Sequence, residues 1–456
     1  MTYFSKVLVA NRGEIAVRII RTLDNLGIAS VAVYSSADAD AVHVRRASEA
    51  VLIGEGPVAE SYLRIDRIIE AALTTGAEAI HPGYGLLSEN PELVRACEEA
   101  GIVFIGPTAE AMSLMGSKVS ARHVMRAAGV PIVPGSTEPV TTASEAARTA
   151  DAIGYPVAVK ASGAGGGKGF RVAKSPQDLE RAIDAASSEG QRFFGNPEVY
   201  LERYLHDPRH IEVQVLGDAS GSVIHLFERD CSVQRRHQKL VEETPAPHVD
   251  PALRERIWAV AVDAARAIGY RSAGTVEGLL DGEDFYFLEM NTRVQVEHGV
   301  TEMVTGVDIV AEQIRIAAGQ PLTLAQSDIH STGHAIECRV NAENPARRFM
   351  PSPGTITAYE EPHGSHIRVD SGIDQGSAVP TYYDPLLAKV LVIGQDRADA
   401  TTRMIQALDE FTIEGVDTLI SFHRALLSSP QWKSAETCRD LIEDRAWLTG
   451  PAIHGR

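Results

Sequence analysis

Over residues 6 to about 110, short apolar runs alternate with segments whose apolar residues recur at helical spacing. Val7–Ala10 is apolar throughout and reads as a buried strand. Glu14–Leu26 follows with helical periodicity, and Gly27 closes it. The same pattern predicts strands at Ser30–Tyr34, Glu78–Ile80 and Val103–Ile105, and helices at Ile65–Leu73 and Glu92–Ala100. Such alternation predicts a parallel, doubly wound sheet. A dinucleotide-binding sheet would carry G-x-G-x-x-G after its first strand. Asn11-Arg12-Gly13-Glu14 stands there instead, with one glycine, which argues against a dehydrogenase.

Beyond this sheet, residues 112–128 read as helical and stop at Gly129-Val130-Pro131. A smaller α/β unit from 132 to about 204 follows, with strands Val157–Lys160, Phe170–Ala173 and Val199–Glu202 and a helix Asp178–Ser187. Strand-rich sequence runs to about 300. From about 331 the chain opens with strand His334–Val340 and closes with helices around 397–411 and 415–427. The fold class is therefore α/β combined with α+β.

Polar and apolar positions alternate most sharply in Glu289-Met290-Asn291-Thr292-Arg293-Val294-Gln295-Val296-Glu297. As a strand, this run sets Glu289, Asn291, Arg293, Gln295 and Glu297 on one face. Phe285-Tyr286-Phe287-Leu288 leads directly in, so the polar row starts from a buried strand. Carboxylates and an amide there suit a hard cation, and the guanidinium suits an oxyanion. Glu277, in Gly274-Thr275-Val276-Glu277, lies one strand earlier if residues 282–284 form a hairpin turn. Glu277, Glu289 and Asn291 would then offer three oxygen ligands, a set suited to Mg²⁺ on nucleotide phosphates. Two facing carboxylates repel, which favours a cation between them.

Five glycines and a lysine fall within Ser162-Gly163-Ala164-Gly165-Gly166-Gly167-Lys168-Gly169. Backbone without side chains brings N–H groups against phosphate. The Walker pattern fails, because Gly169 follows the lysine where Ser or Thr is required. Because the loop connects strand to strand, a flap over a nucleotide fits it better. Lys118 and Lys160 flank this region as point charges for phosphates. Arg229-Asp230-Cys231-Ser232-Val233-Gln234-Arg235-Arg236-His237-Gln238-Lys239 gathers cations and reads as an anion pocket.

Composition narrows the picture. The 456 residues allow about three domains. A net charge of -18 argues against a general nucleic-acid or anionic-membrane surface, so an anionic ligand needs a local basic pocket. Cys97, Cys231, Cys338 and Cys438 form no CxxC pair, which suits a reducing compartment. The apolar run after the N-terminus is too short for a signal peptide or a membrane span, so a cytoplasmic location is expected. His206 and His210 are interrupted by Asp207-Pro208, so no zinc site is expected.

These motifs together resemble the biotin carboxylase component of biotin-dependent carboxylases, within the ATP-grasp superfamily. The resemblance rests on Asn11-Arg12-Gly13-Glu14-Ile15-Ala16, His81-Pro82-Gly83-Tyr84-Gly85, the glycine loop, the 229–239 run, Glu289–Arg293 and Glu337-Cys338-Arg339-Val340-Asn341-Ala342-Glu343. It implies a Rossmann-like domain over 1–115 and an ATP-grasp domain over 116–330 with a lid at 132–204. A C-terminal domain over 331–447 and a tail at 448–456 complete the chain. It further implies that Lys118, Lys160, Gly166 and Gly167 contact ATP phosphates, and that Glu202, Arg203, Tyr204, Leu205, His210, Gln234 and His237 hold adenine and ribose. Glu277, Glu289 and Asn291 would bind two Mg²⁺ ions. Lys239, Arg293, Gln295 and Val296 would hold bicarbonate, Glu297 would be its base, and Arg339 would stabilise the biotin enolate. The implied partners are a biotin carboxyl carrier protein, a carboxyltransferase and a second copy of the chain. The implied reaction is the first half of an acyl-CoA carboxylation, as in fatty acid biosynthesis.

Three departures stand out. Gly299 replaces an expected proline, Gly278 replaces a bulky apolar residue, and no Met adjoins a Lys as in a biotin-bearing Met-Lys-Met. The last implies a separate carrier. A proline at 299 is expected to stabilise by about 0.4–1 kcal/mol if the backbone keeps the family's path. Two other readings are a different ATP-grasp ligase and an ATP-binding chain whose catalysis has decayed; Arg339 in its Glu-Cys-Arg context argues against the first.

Overall fold

Lys6–Val9 (β1), Ala29–Ser35 (β2), Glu49–Gly54 (β3), Ala79–His81 (β4) and Val103–Phe104 (β5) form a parallel sheet in the order β3-β2-β1-β4-β5. The computed structural model describes residues 3–136, 138–162 and 169–454. Val7 and Val9 pack against Ile15 and Ile19 on one face, while Leu8 packs with Ile68 and Leu93 on the other. Both faces are covered, which is why β1 is apolar without alternation. The edge strand β3 escapes the sequence pattern because only Ile53 on it is buried.

The helix expected over 112–128 is two helices, Ala109–Gly116 and Lys118–Ala127. Ser117 separates them, and its hydroxyl caps the second by accepting from the Ser120 N–H. Lys118 thereby occupies a helix start instead of a helix interior.

Val157–Ala161 (β6), Phe170–Ala173 (β7) and Val199–Arg203 (β8) form an antiparallel sheet in the order β7-β6-β8. The helices Ala143–Ile153 and Pro176–Phe194 lie beside it. Ala161 and Phe170 flank the glycine loop, whose Gly166 and Gly167 lie outside the described residues.

The largest sheet is antiparallel and has eight strands. These are Arg209–Gly217 (β9), Val223–Arg235 (β10), Gln238–Thr244 (β11), Ser272–Asp281 (β12), Asp284–Asn291 (β13), His334–Asn341 (β14), Ile367–Ser371 (β15) and Leu386–Gly394 (β16). Their order is β13-β12-β9-β10-β11-β14-β16-β15. Because β11 pairs with β14, one sheet runs unbroken past residue 331.

Two further sequence expectations are corrected. The alternating run does not continue as a strand to Glu297: β13 ends at Asn291. The Thr292 N–H donates to Glu89 Oε1 at 2.9 Å, which takes the backbone out of the ladder. A turn follows, and a helix begins at His298. The helix expected over 415–427 starts at Ile420, because Thr412–Glu414 is a strand and Gly415 turns the chain at φ +98°. Among the described residues, no helix is long and apolar enough to cross a membrane.

Candidate active site

The hairpin joining β12 and β13 turns at Gly282-Glu283, and its register sets Glu277 opposite Glu289 and Thr275 opposite Asn291. Asn291 Nδ2 donates to Glu277 Oε1 at 2.8 Å. Gln295 Nε2 donates to the same oxygen at 2.7 Å, and His210 Nε2 lies 2.8 Å from the other. Burial pushes Glu277 up, but Lys239 and His210 outweigh it and hold this carboxyl well below the usual range. Glu289 moves the other way, raised by burial and by the charge of Glu277 facing it. The facing carboxylates of Glu277 and Glu289 suit Mg²⁺, whose charge would relieve that repulsion, while the Asn291 amide is taken up by Glu277 through Nδ2 and by Arg293 through Oδ1.

Lys239, on β11, is the hub. Its ammonium donates to Glu212 at 2.5 Å, Glu277 at 2.8 Å, Glu297 at 2.7 Å and Gln295 at 3.3 Å. Burial opposes its charge, yet the three carboxylates hold its pKa well above normal. Glu297 is fully buried, with Oε1 on Lys239 and Oε2 accepting from Arg339 Nη2 at 3.0 Å. Burial pushes Glu297 up; Lys239, Arg339 and Arg229 more than offset it and hold the carboxyl well below its usual range. Arg339 also donates through Nε to Glu242 at 2.6 Å. Arg293 donates to Glu89 at 2.9 Å and to Asn291 Oδ1 at 2.8 Å. The Val296 carbonyl accepts from the fully buried Lys389 at 2.5 Å.

These groups open onto one cleft of about 1280 Å³. Lys118, Lys160, Glu202, Arg203, Tyr204, Leu205, His210, Gln234 and His237 all line it, together with Lys239, Glu277, Glu289, Asn291, Arg293, Gln295, Val296, Glu297 and Arg339. Glu202 pairs with both Lys160 and Arg122. Arg203 meets the Tyr286 ring at 5.3 Å, and Gln234 Nε2 donates to the Cys231 carbonyl at 2.7 Å.

The cation-rich run divides in two. Arg229 is fully buried and donates to Glu212, Gln214, Thr275 and Thr301, and Arg235 pairs with Glu343 and lies over Phe349. Both brace the site from behind. Arg236, His237 and Lys239 face the cleft. Residues missed in the sequence include Glu212, Glu242 and Lys389. A lone lysine inside the apolar Leu386–Gly394 strand was the available signal for the last.

The two glycine departures have packing causes. A Cβ on Gly278 would meet the Phe285 ring at 2.2 Å, so Phe285 fills the missing volume away from the cleft. Gly299 lies in the first helical turn after Glu297 and does not have a positive φ, so proline fits its backbone. Its Cβ would, however, sit 2.3 Å from Leu391 Cδ2. The expected gain from proline is therefore replaced by overpacking. Gly299→Pro should lower stability by about 1–3 kcal/mol. Pairing it with Leu391→Val should recover part of that loss. Thermal melts of the two single variants and the double variant give the coupling, and strict additivity would show that Leu391 is not the obstacle.

A Rossmann-like sheet, an antiparallel central sheet and lysines and carboxylates around one cleft define an ATP-grasp ligase. Residues 3–112 match the biotin carboxylase N-terminal domain family, 117–325 the ATP-binding domain of the carbamoyl-phosphate synthase L chain, and 337–444 the biotin carboxylase C-terminal domain. The chain is 53% identical to a pyruvate carboxylase subunit of Methanothermobacter thermautotrophicus, over 97% of its own length and 90% of that protein. It is 52% identical to biotin carboxylase 1 of Bacillus subtilis, over 96% of its length and 98% of that protein. A solved dimer of the biotin carboxylase domain of Hydrogenobacter thermophilus 2-oxoglutarate carboxylase, in complex with MgADP, ADP and bicarbonate, superposes with a TM-score of 0.93. It shares 48% identity, and the match covers 98% of this chain and 99% of that one. The chain belongs to the biotin carboxylase family.

Proposed function

We propose that this chain catalyses the first half-reaction of a biotin-dependent carboxylase, with biotin borne on a separate carrier protein. It is an ATP-dependent ligase that takes its carboxyl group from bicarbonate. The observation that carries the residue roles is Glu297 held between Lys239 and Arg339, beside Glu277, Asn291 and Gln295.

Bicarbonate is a poor nucleophile and gains from a base at its hydroxyl. Lys239, Arg293, Gln295 and the Val296 backbone orient it, and Glu297 removes its proton during attack on the γ-phosphate. Glu297 is a weak base while both of its oxygens are engaged by cations. An incoming anion competes for Lys239 and Arg339, which returns basicity to Glu297 as the substrate arrives. Lys118, Lys160, Gly166 and Gly167 take the phosphates. Glu202 to Leu205, His210, Gln234 and His237 take the nucleoside. ATP binding draws Lys160 away from Glu202. Glu277, Glu289 and Asn291 would hold two Mg²⁺ ions, which supply charge neutralisation at the phosphates. Arg339 meets the ureido group of biotin and stabilises its enolate.

The proposed division is 1–115, 116–330 with a lid at 132–204, 331–447, and a tail at 448–456. Closure of the lid excludes water from carboxyphosphate. The proposed setting is cytoplasmic, as a homodimer working with a carrier protein and a carboxyltransferase. Relatives named for pyruvate and for 2-oxoglutarate leave the acceptor to that transferase.

A biotinylated carrier should stimulate bicarbonate- and Mg²⁺-dependent ATP hydrolysis. Release of ADP with and without the carrier measures it. No stimulation by an authentic carrier would favour a decayed chain kept for assembly.

A further inference from the structure

Behind Arg339 lies a pair of acids that the reaction above does not use. Glu337 on β14 stands directly opposite Glu242 on β11, and both are fully buried. Glu242 Oε1 accepts from Arg339 Nε, but its Oε2 has no hydrogen-bond partner. Neither oxygen of Glu337 has one. The surrounding charged groups do not satisfy it. Arg339 is engaged by Glu242 and Glu297. Lys389, from β16, donates to the Val296 carbonyl and lies 3.5 Å from Glu14 and 3.8 Å from Asp370. Among the described residues, no cation lies within ion-pairing distance of Glu337. Leu391 is its neighbour across β16, and Glu337 Oε2 is 3.4 Å from where a Cβ on Gly299 would sit, so a leucine and a glycine form part of its surroundings.

Two ionised carboxylates cannot face each other in such a place without a cation between them. One proton held between the pair gives the free Glu242 oxygen and one Glu337 oxygen a partner each. We propose that Glu337 is a positioning acid: it carries a proton, donates it to the free oxygen of Glu242, and so fixes the carboxylate that orients Arg339. This rests on the reading of Arg339 as the group that meets biotin. The electrostatics agree. Burial drives Glu337 well above the usual carboxylate range, with Lys389 opposing and Glu242 reinforcing the rise. Burial lifts Glu242 to about 7 against the pull of Arg339, with Glu297 adding to the rise. Above that pH the pair holds one proton. Below it Glu242 is neutral as well, and Arg339 loses one of the two carboxylates that orient it.

The test follows kcat/KM for biotin against pH, beside biotin-independent ATP hydrolysis. The wild type should lose biotin carboxylation below about pH 7. Glu337→Gln keeps a neutral donor and should keep both rate and profile. Glu337→Leu removes the donor: carboxylation should fall by about ten- to a hundredfold and its acid limb should move to higher pH. A Glu337→Gln limb displaced to lower pH would mean that Glu337 is ionised and would overturn the proposal. So would a Glu337→Leu variant that loses both activities with an unchanged profile, which marks a merely structural role. If the leucine variant does not fold, infrared spectra decide: a protonated-carboxyl band should persist above pH 7 and vanish in Glu337→Gln, and its absence from the wild type overturns the proposal. Arg339→Ala, run alongside, separates the two readings. If it retains biotin carboxylation, the assignment of Arg339 fails. If it abolishes carboxylation while Glu337→Leu behaves as the wild type, only the role of Glu337 fails.

Discussion

Glu297→Gln is expected to depress both bicarbonate-dependent ATP hydrolysis and biotin carboxylation, by about 10²–10⁴-fold. Both activities pass through the deprotonation of bicarbonate, and glutamine cannot accept that proton. Collapse of the site is not the expected cause, since Lys239 keeps Glu212 and Glu277, and Arg339 keeps Glu242. The pH dependence has a definite sign. Burial raises the Glu297 pKa, but its cations hold it well below the usual carboxylate range, so the group stays ionised above that low value. Its protonation occurs only as pH falls far into the acid range. The ratio of wild-type to variant rates should therefore be constant around neutrality. Steady-state ADP release across that range checks this, and full ATPase in the variant would remove Glu297 from the base's role.

Arg339→Ala should separate the two activities. Biotin carboxylation is expected to fall by about 10²–10³-fold, the usual cost of removing one charge-stabilising donor. Biotin-independent ATP hydrolysis should change far less, because the role of Arg339 begins after carboxyphosphate has formed. The structure adds a second-order effect. Arg339 Nη2 holds Glu297 Oε2 at 3.0 Å, so its loss leaves Glu297 a stronger base. The residual ATPase should hold or rise as a result. Carboxybiotin formation and ADP release, measured on the same preparation, decide the matter. Equal loss of both would make Arg339 a structural or nucleotide-binding residue.

The three central strands of the first sheet were legible because they are buried on both faces. Val7-Leu8-Val9 declares itself by being apolar throughout, whereas the edge strand Glu49–Gly54, with one buried side chain, leaves no such signature. The Glu277 and Glu289 pairing is the one expected from a 282–284 turn, but it arises differently: the two-residue turn Gly282-Glu283 alone would set Glu277 opposite Leu288, and a bulge between Glu277 and Gly278 shifts the register by one to Glu289. The row from Glu289 to Glu297 named suitable residues but assigned some to an element they do not share. Glu289 and Asn291 lie on β13, while Gln295 and Glu297 reach the same place from a turn. Period-two alternation cannot report that Glu89, some two hundred residues earlier, takes the Thr292 N–H and ends the strand.

By itself, the sequence determined which local segments bury their faces, which chemical groups are available, and the family to which their order belongs. These follow from periodicity and residue type, which act over a few neighbouring positions. Tertiary structure alone decided that Lys239 meets three carboxylates, that Arg229 and Arg235 turn away from the cleft, and that Lys389 holds the Val296 carbonyl. It also decided that Glu337 faces Glu242 without a partner and that Leu391 occupies the space a proline at 299 would need. Those contacts join strands far apart in the chain, and burial then sets the protonation of each acid, so neither could be read from local pattern.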